Sequence, residues 1–476
     1  MFKFTAKLIL ERGGLVLKLC IPVVLLFCLA GCNAPKSQLS EFNNYYRLSD
    51  FNTATEYAQS KIGKTEKPDG EDLLWSLQLA SVSFQVDDHN KSTEYFDNSE
   101  NMLNFYDYQN ELSAGVASTL VNENAVPYLG EEYDGVMINT YKALNFMIMG
   151  KHDLVRVEFN RALDRQSRAK EHFTKEIAEL KNQVAKKEEQ EKNTNIKENL
   201  ENPEIQQTLK DQYPSLYEYE AYPDFVNPFT TYLAGVYFNL VHDHLKAVDL
   251  LKESHGMLPK NSYITEDLTA TENHLAGKEE IDNTIWVIFE NGLGPVKEEF
   301  RIDLPLFIVT NEVKYVGIAL PKLGSGEQSY SHLVINAADK QYCTEIAGDM
   351  DRVIHTEFNK DFEAILTRAI ISTTVKAAAQ YALQKQNSQA SSIASIMVAV
   401  YSFTTTAADV RIWSTLPNDF QVARLEIPAS RSITISSPEG AKLLDINIPS
   451  CNNAIVYIKI PFQEAMPSYD IITFNP

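Results

Sequence analysis

Apolar residues over roughly the first 280 positions recur every three to four places, the period of a helix that buries one face. Four stretches pair two such helices across a short polar turn. "YYRLSDFNTATEYAQ" (45–59) sets Tyr45, Phe51 and Ala54 in step, and "ASVSFQVDDHNKSTEYF" (80–96) does so with Ala80, Phe84, Ser92 and Phe96. In "ALNFMIMGKHDLVRVEFNRAL" (143–163), Ala143, Phe146 and Gly150 lead up to the turn and Val155, Phe159 and Ala162 follow it. In "GVYFNLVHDHLKAVDLLKESHGMLP" (235–259) the positions are Gly235, Phe238, Ala247, Leu251 and Pro259. Small residues such as Gly235 and Ala247 let two helices approach closely, the aromatics plug the hairpin, and Pro259 ends the second helix.

This spacing resembles the tetratricopeptide repeat, a helix pair of about 34 residues, over most of 39–262. The array is interrupted, since Ala54, Ser92, Val155 and Ala247 occupy equivalent places and lie 38, 63 and 92 residues apart. A helical domain over 32–280 with a charged helical insertion over about 166–226 is therefore predicted. Within the insertion, Ile177, Leu180 and Val184 keep a thin apolar stripe on an otherwise charged stretch, which suits a solvated helix or a partner-binding coiled coil. The tyrosine-rich "YPSLYEYEAYPDF" (213–225) is expected as a loop on the concave face of the hairpins or as a ligand surface.

After residue 281 the period shortens to two. "TIWVIFENG" (284–292), "EEFRIDLP" (298–305), "VKYVGIALP" (313–321), "HLVINAAD" (332–339) and "YCTEIAG" (342–348) read as strands, the second and third stopping at proline. Gly292, Gly294 and Pro295 suit a tight turn after the first strand. Helices are predicted over about 349–409, with Val353, Ile354, Phe358, Phe362, Ile365, Leu366, Ala369 and Ile370 as a buried stripe. A run of antiparallel strands follows between 421 and 462. The predicted class is α+β: an all-α tetratricopeptide-like half, then a β-rich domain (281–476) with a helical insert.

The start of the chain changes where all this must work. Lys3, Lys7, Arg12 and Lys18 precede an apolar run from Leu19 to Ala30, whose 12 residues make about 18 Å of helix, short of a bilayer. Leu29-Ala30-Gly31-Cys32 looks like a lipobox, which implies a signal peptide over 1–31, cleavage between Gly31 and Cys32, and acyl chains on Cys32 as the only hold on a membrane. Asn33, where enteric sorting places Asp for retention, implies the outer membrane of a Gram-negative bacterium, facing the periplasm. The apolar "ASSIASIMVAVYSFTTTAAD" (390–409) is too short in its apolar part to span and is expected as a buried helix.

Loss of the leader takes the formal charge from −21 to −24, which argues against nucleic acid or anionic lipid as a binding target. Cys343 and Cys451 are the remaining thiols, either paired as a disulfide or buried and free. No Cys/His spacing suggests a metal, and His242-Asp243-His244 sits where the last hairpin needs its turn. His355 and Glu357 lack metalloprotease spacing, and no nucleophile elbow or phosphate loop is found, so neither a catalytic site nor a cofactor is expected. Asp409 and Arg411 flank Trp413, read as an internal brace with the guanidinium on the ring, or as a clasp for a peptide carboxylate.

"ENGLGPVKEEFRIDLP", "FNKDFEAILTRAIISTTVKAAAQY" and "ADVRIWSTLPNDFQVARLEIP" together resemble an uncharacterised family of proteobacterial lipoproteins with a tetratricopeptide-like front half. That resemblance brings no activity and implies a setting in envelope assembly. The expected role is a scaffold for an envelope protein or peptide, held on the concave faces of 139–163 and 231–254. The alternative is a regulator, carrier or weak hydrolase acting on cell-wall or lipid components.

Overall fold

The computed structural model describes residues 34–63, 72–113, 127–169, 199, 201–214, 216, 227–278, 280–281, 283–307, 313–384 and 408–475. The leader with Gly31 and Cys32, the charged stretch 170–198, residues 217–226 and the apolar segment 385–407 lie outside them.

Four helix pairs form where the period places them: α1 (Ala34–Arg47) with α2 (Phe51–Gln59), α3 (Asp72–Gln85) with α4 (His89–Ser113), α5 (Glu132–Ile148) with α6 (152–169), and α8 (Pro228–Leu240) with α9 (His244–Met257). α7 (Pro203–Gln212) lies between the third and fourth pairs, and α10 (Ser262–Leu275) follows the last. All four pairs use one turn. The second residue past the first helix is left-handed: Ser49 (φ 56°), Asp87 (φ 61°), Gly150 (φ 69°) and His242 (φ 63°). Its N–H returns to the carbonyl three residues back, and the next N–H reaches five back, as in Asp88 to Ser83 and Asp243 to Phe238. These bonds satisfy carbonyls that a helix end leaves bare. Only one of the four positions is glycine, so three turns carry a left-handed side chain at a cost of about 1 kcal/mol each.

Among the described residues the C-terminal half forms eleven strands in three sheets. A five-stranded sheet has the order β11 (Ser468–Phe474), β10 (Asn453–Ile460), β1 (Thr284–Asn291), β7 (Asp419–Glu426), β6 (Glu345–Asp349). A four-stranded sheet runs β5 (Lys340–Cys343), β4 (Val334–Ala337), β8 (Ser432–Ser436), β9 (Lys442–Asn447). β2 (Lys297–Phe307) and β3 (Val313–Leu323) form a ribbon of their own. The expected run of antiparallel strands after 421 is thus divided: β8 and β9 pair with each other, whereas β10 joins β1 in parallel. A parallel pair needs a crossover rather than a hairpin, and local alternation carries no sign of which will occur.

β2 and β3 continue past Pro305 and Pro321, to Phe307 and Leu323. In a two-stranded ribbon each strand is an edge, so a missing N–H need break no ladder bond. The helical insert is α11 (Met350–Gln384), packed on β3. Residues 408–413 are irregular, which corrects the expectation of helix as far as 409. Tyr213 is fully buried against Phe300 of β2 and Phe362 of α11, not on the hairpins as expected.

β1 and β10 are buried along nearly their whole length, so the central sheet is covered on both faces. One face carries Trp286, Glu290, Phe420, Tyr457 and Lys459 toward the helices. The other carries Asn291, Asp419 and Gln421, which bind residues 328–331 at the entrance to the four-stranded sheet. Gly292 makes this crowding workable, with φ +69° and an added Cβ reaching 2.0 Å from the Glu327 carbonyl oxygen. The layers are helices, five-stranded sheet, four-stranded sheet.

Candidate functional site

α3, α5 and α8, the first helices of their pairs, are buried on almost every residue, while α4, α6 and α9 keep one face in solvent. The side on which a repeat array would hold a peptide is occupied by the chain's own sheet. Phe229 of α8 stacks on Phe420 of β7, and Phe84 of α3 meets Tyr457 of β10 edge-on at 5.9 Å. Tyr141 of α5 donates to Glu290 of β1 at 3.0 Å, and Tyr457 donates to the other oxygen of that carboxylate at 2.6 Å. Burial raises the Glu290 carboxyl above its usual range, against these two donors and Lys459. The expectation of a partner on the concave faces of 139–163 and 231–254 is corrected by this packing.

Most of the predicted packing residues lie where the repeat needs them. Ala143, Phe159, Ala162 and Ala247 are fully buried, and an added Cβ on Gly235 would meet Leu251 of α9 at 3.0 Å. Gly150 is the turn residue and Pro259 lies just past α9. His242-Asp243-His244 is a turn: His244 shares a hydrogen bond with Asn239, and Asp243 accepts from Arg156 at 2.7 Å. Cys343 and Cys451 are both free thiols, Cys343 exposed and Cys451 beside Arg431, so neither the disulfide nor a buried pair is formed.

Arg411 is 3% exposed and grips Asp409 with two bonds, Nε to Oδ1 at 2.8 Å and Nη2 to Oδ2 at 2.7 Å. Burial works against the Asp409 charge, yet Arg411 holds that carboxyl below its usual range. The guanidinium lies over the Tyr128 ring at 5.9 Å rather than over Trp413. Trp413 instead enters the helix layer against the stacked pair Phe96 and Tyr141 and donates to Ser81 at 2.8 Å. The motif is a brace, with a different ring from the expected one.

The central sheet has one uncovered edge among the described residues. Among the described residues β11 is paired on one side only, with β10. At the other end of the sheet, β6 is covered: Asn261 donates to the Ile346 carbonyl, Ser262 binds Glu345, and Gly348 lies under Phe229. β9 carries Lys442 and Asp445, charges that discourage pairing. β11 carries a single charge, and it turns inward. Asp470 binds His89 at 3.2 Å and lies 3.5 Å from the buried ammonium of Lys459. Burial opposes its charge, but His89 and Lys459 hold its carboxyl below the usual range.

β11 also runs along the row of hairpin turns. Gln85 at the end of α3 donates to Ser468, and the His152 ring at the start of α6 meets Phe474 at 5.5 Å. Exposed apolar side chains stand beside that row: Val86 (49%), Leu154 (43%), Leu245 (73%) and Met466 (87%). Tyr469 adds an aromatic on the strand itself. Reasoning from sequence missed this surface, because β11 falls beyond the last strand it assigned. "SYDIITF" (468–474), bounded by Pro467, was the available signal.

No helix among the described residues is long and apolar enough to cross a membrane. No family model matches the chain, and no curated protein matches it. Among solved structures it is similar to those titled MamA MSR-1 and MamA AMB-1, at 9% and 10% identity and a TM-score of 0.26 for each. These matches cover 52% and 51% of this chain and 89% and 85% of the others. At that score the function rests on the chain's own surfaces.

Proposed function

We propose that this protein is a lipid-anchored envelope protein that binds a protein partner, and that the partner adds an extended segment to β11. The observation that carries it is the one-sided pairing of β11 beside exposed apolar turns. An edge strand offers a row of N–H and C=O groups to any extended chain, and neighbouring pockets or apolar patches select among chains. The filled hollow removes the usual alternative surface of a helical repeat. The lipobox supports the setting: an acylated Cys32 would keep the body at the outer membrane without a spanning helix.

A photo-crosslinking residue placed at Tyr469 or Leu245 in living cells is expected to capture an envelope protein. Adducts should vanish when Tyr469→Lys and Thr473→Lys guard the edge. Adducts that survive both lysines would place the contact elsewhere and overturn the β11 assignment. The anchor is read separately: Cys32→Ala should abolish labelling by a fatty-acid probe and leave the leader uncleaved.

A further inference from the structure

The last helix pair gathers histidines that the sequence keeps apart. The ring of His244, the first residue of α9, lies 4.1 Å from that of His274 near the end of α10, centroid to centroid. His242, in the turn before α9, sets its ring 5.8 Å from His244. His242 is exposed and the other two are half-buried, so solvent reaches all three.

A chain of hydrogen bonds fixes which nitrogen of His244 carries the proton. Thr271 of α10 donates its hydroxyl to the Asp267 carbonyl at 2.7 Å. The Thr271 oxygen therefore accepts from the Asn239 amide at 2.8 Å, which turns Oδ1 of Asn239 toward His244. That oxygen only accepts, so the 2.6 Å bond between them makes Nδ1 of His244 the donor. In the neutral ring the lone pair is then on Nε2. Burial, followed by the nearby His274 and His242, lowers the His244 pKa and favours that neutral ring, against Asp243 and Glu280. His274 is oriented in the same sense, with its Nδ1 3.4 Å from an accepting oxygen of Glu280. Imidazoles that bind metal ions are held in this way, the second ring N–H donating to an oxygen.

We propose that His242, His244 and His274 bind a zinc ion that ties α10 to the last hairpin turn. Imidazole nitrogen suits zinc, and zinc imposes no d-electron geometry on rings drawn from a turn and two helices. Bonds of about 2.0–2.1 Å set two ligand nitrogens about 3.3 Å apart, so rings 4.1 Å apart close on one ion by side-chain rotation. His242 turns in from 5.8 Å as the third ligand, and water takes the fourth position. Such an ion would fasten α10 to the pair that presents Leu245. The site stands apart from β11 and does not depend on what that strand binds.

The test is zinc titration of the full chain, purified in detergent after chelator treatment, by calorimetry and thermal unfolding. One ion per chain is expected, with a rise in Tm. His274→Ala, at a half-buried position, should weaken binding about tenfold or more and leave Tm in chelator nearly unchanged. His255→Ala, toward the other end of α9, should leave binding as it is. Nitrogen NMR of the histidine rings in chelator should show His244 protonated on Nδ1, and zinc should shift its Nε2 resonance. No heat and no Tm change at millimolar zinc would overturn the proposal. Binding that His274→Ala leaves unaltered, or that both variants weaken equally, would overturn it too, by assigning the ion to the acidic surface. A His244 ring protonated on Nε2 would remove the ligand and the proposal with it.

Discussion

The ring of Phe229 lies flat on the ring of Phe420, centroids 3.7 Å apart and planes 4° from parallel. The first belongs to α8 and the second to β7, so this contact is the seam between the helical layer and the central sheet. An added Cβ on Gly348 would come within 2.5 Å of Phe229, which is why the strand beside Phe420 has no side chain there. Phe420→Ala is expected to destabilise the whole chain by about 3–5 kcal/mol in chemical denaturation, as one transition. If only the repeats or only the sheet lost stability, the seam would not be a shared core.

The repeats should not stand alone. α3, α5 and α8 bury both of their sides only because the sheet covers them. A fragment ending near residue 280 is expected to aggregate or to bind a hydrophobic dye, whereas the full chain stays monodisperse. A soluble, cooperatively folded fragment would contradict this.

Asp419 provides a pH signature. It is 1% exposed, and burial raises its carboxyl to about 6, against hydrogen bonds from Gln328, Asn291 and Gln421 and with the charge of Asp349 adding to the rise. A raised folded value favours the protonated form. Its stabilisation is complete below about 3.9, the unfolded value, and is lost as pH climbs through about 6. Measured against Asp419→Asn, the native chain should therefore lose about 2 kcal/mol between pH 4 and pH 7. Parallel stability curves for the two proteins would refute the assignment.

Two glycines with the same φ should respond differently to alanine. Gly150 and Gly292 both sit at φ +69°, but nothing lies within 4 Å of a Cβ on Gly150, while one on Gly292 would strike the Glu327 carbonyl at 2.0 Å. Gly150→Ala should cost about 1 kcal/mol, the conformational part alone. Gly292→Ala should cost several times more, because the 324–328 loop must move. Equal Tm losses would show that the loop yields freely.

Breaking the brace should hurt more than removing it. Arg411→Met leaves a mostly buried carboxylate unpaired, at about 3 kcal/mol or more. Adding Asp409→Asn should recover part of that in a double-mutant cycle. Equal stability of the single and double variants would mean the pair is uncoupled.

Parts of this molecule were legible before its coordinates. The hairpin stretches at 143–163 and 235–259 were found because helix contact demands small residues such as Ala143 and Ala247 at a fixed spacing, and that demand is local. β1 was found for a similar reason: "TIWVIFEN" is too apolar to be anything but a doubly covered strand or a buried helix, and its β-branched residues decide which. Trp413 was singled out beside Arg411, but its destination among α3, α4 and α5 was not, since the partners lie hundreds of residues upstream. Glu357 has no catalytic spacing to His355 in the sequence. Its task, capping a distant helix start, has no spacing rule.

By itself the sequence determined the helical period of the first half, the turns between paired helices, the strand character of the second half and the acidity of the surface. These follow from backbone geometry and burial over a few neighbouring residues. Only the tertiary structure decided that the sheet fills the hollow of the repeats, that β10 joins β1 in parallel, and that β11 is left with an open edge. Each of those depends on which distant surfaces meet. Apolar burial is non-directional, so a pattern of apolar positions states that a face must be covered without stating by what.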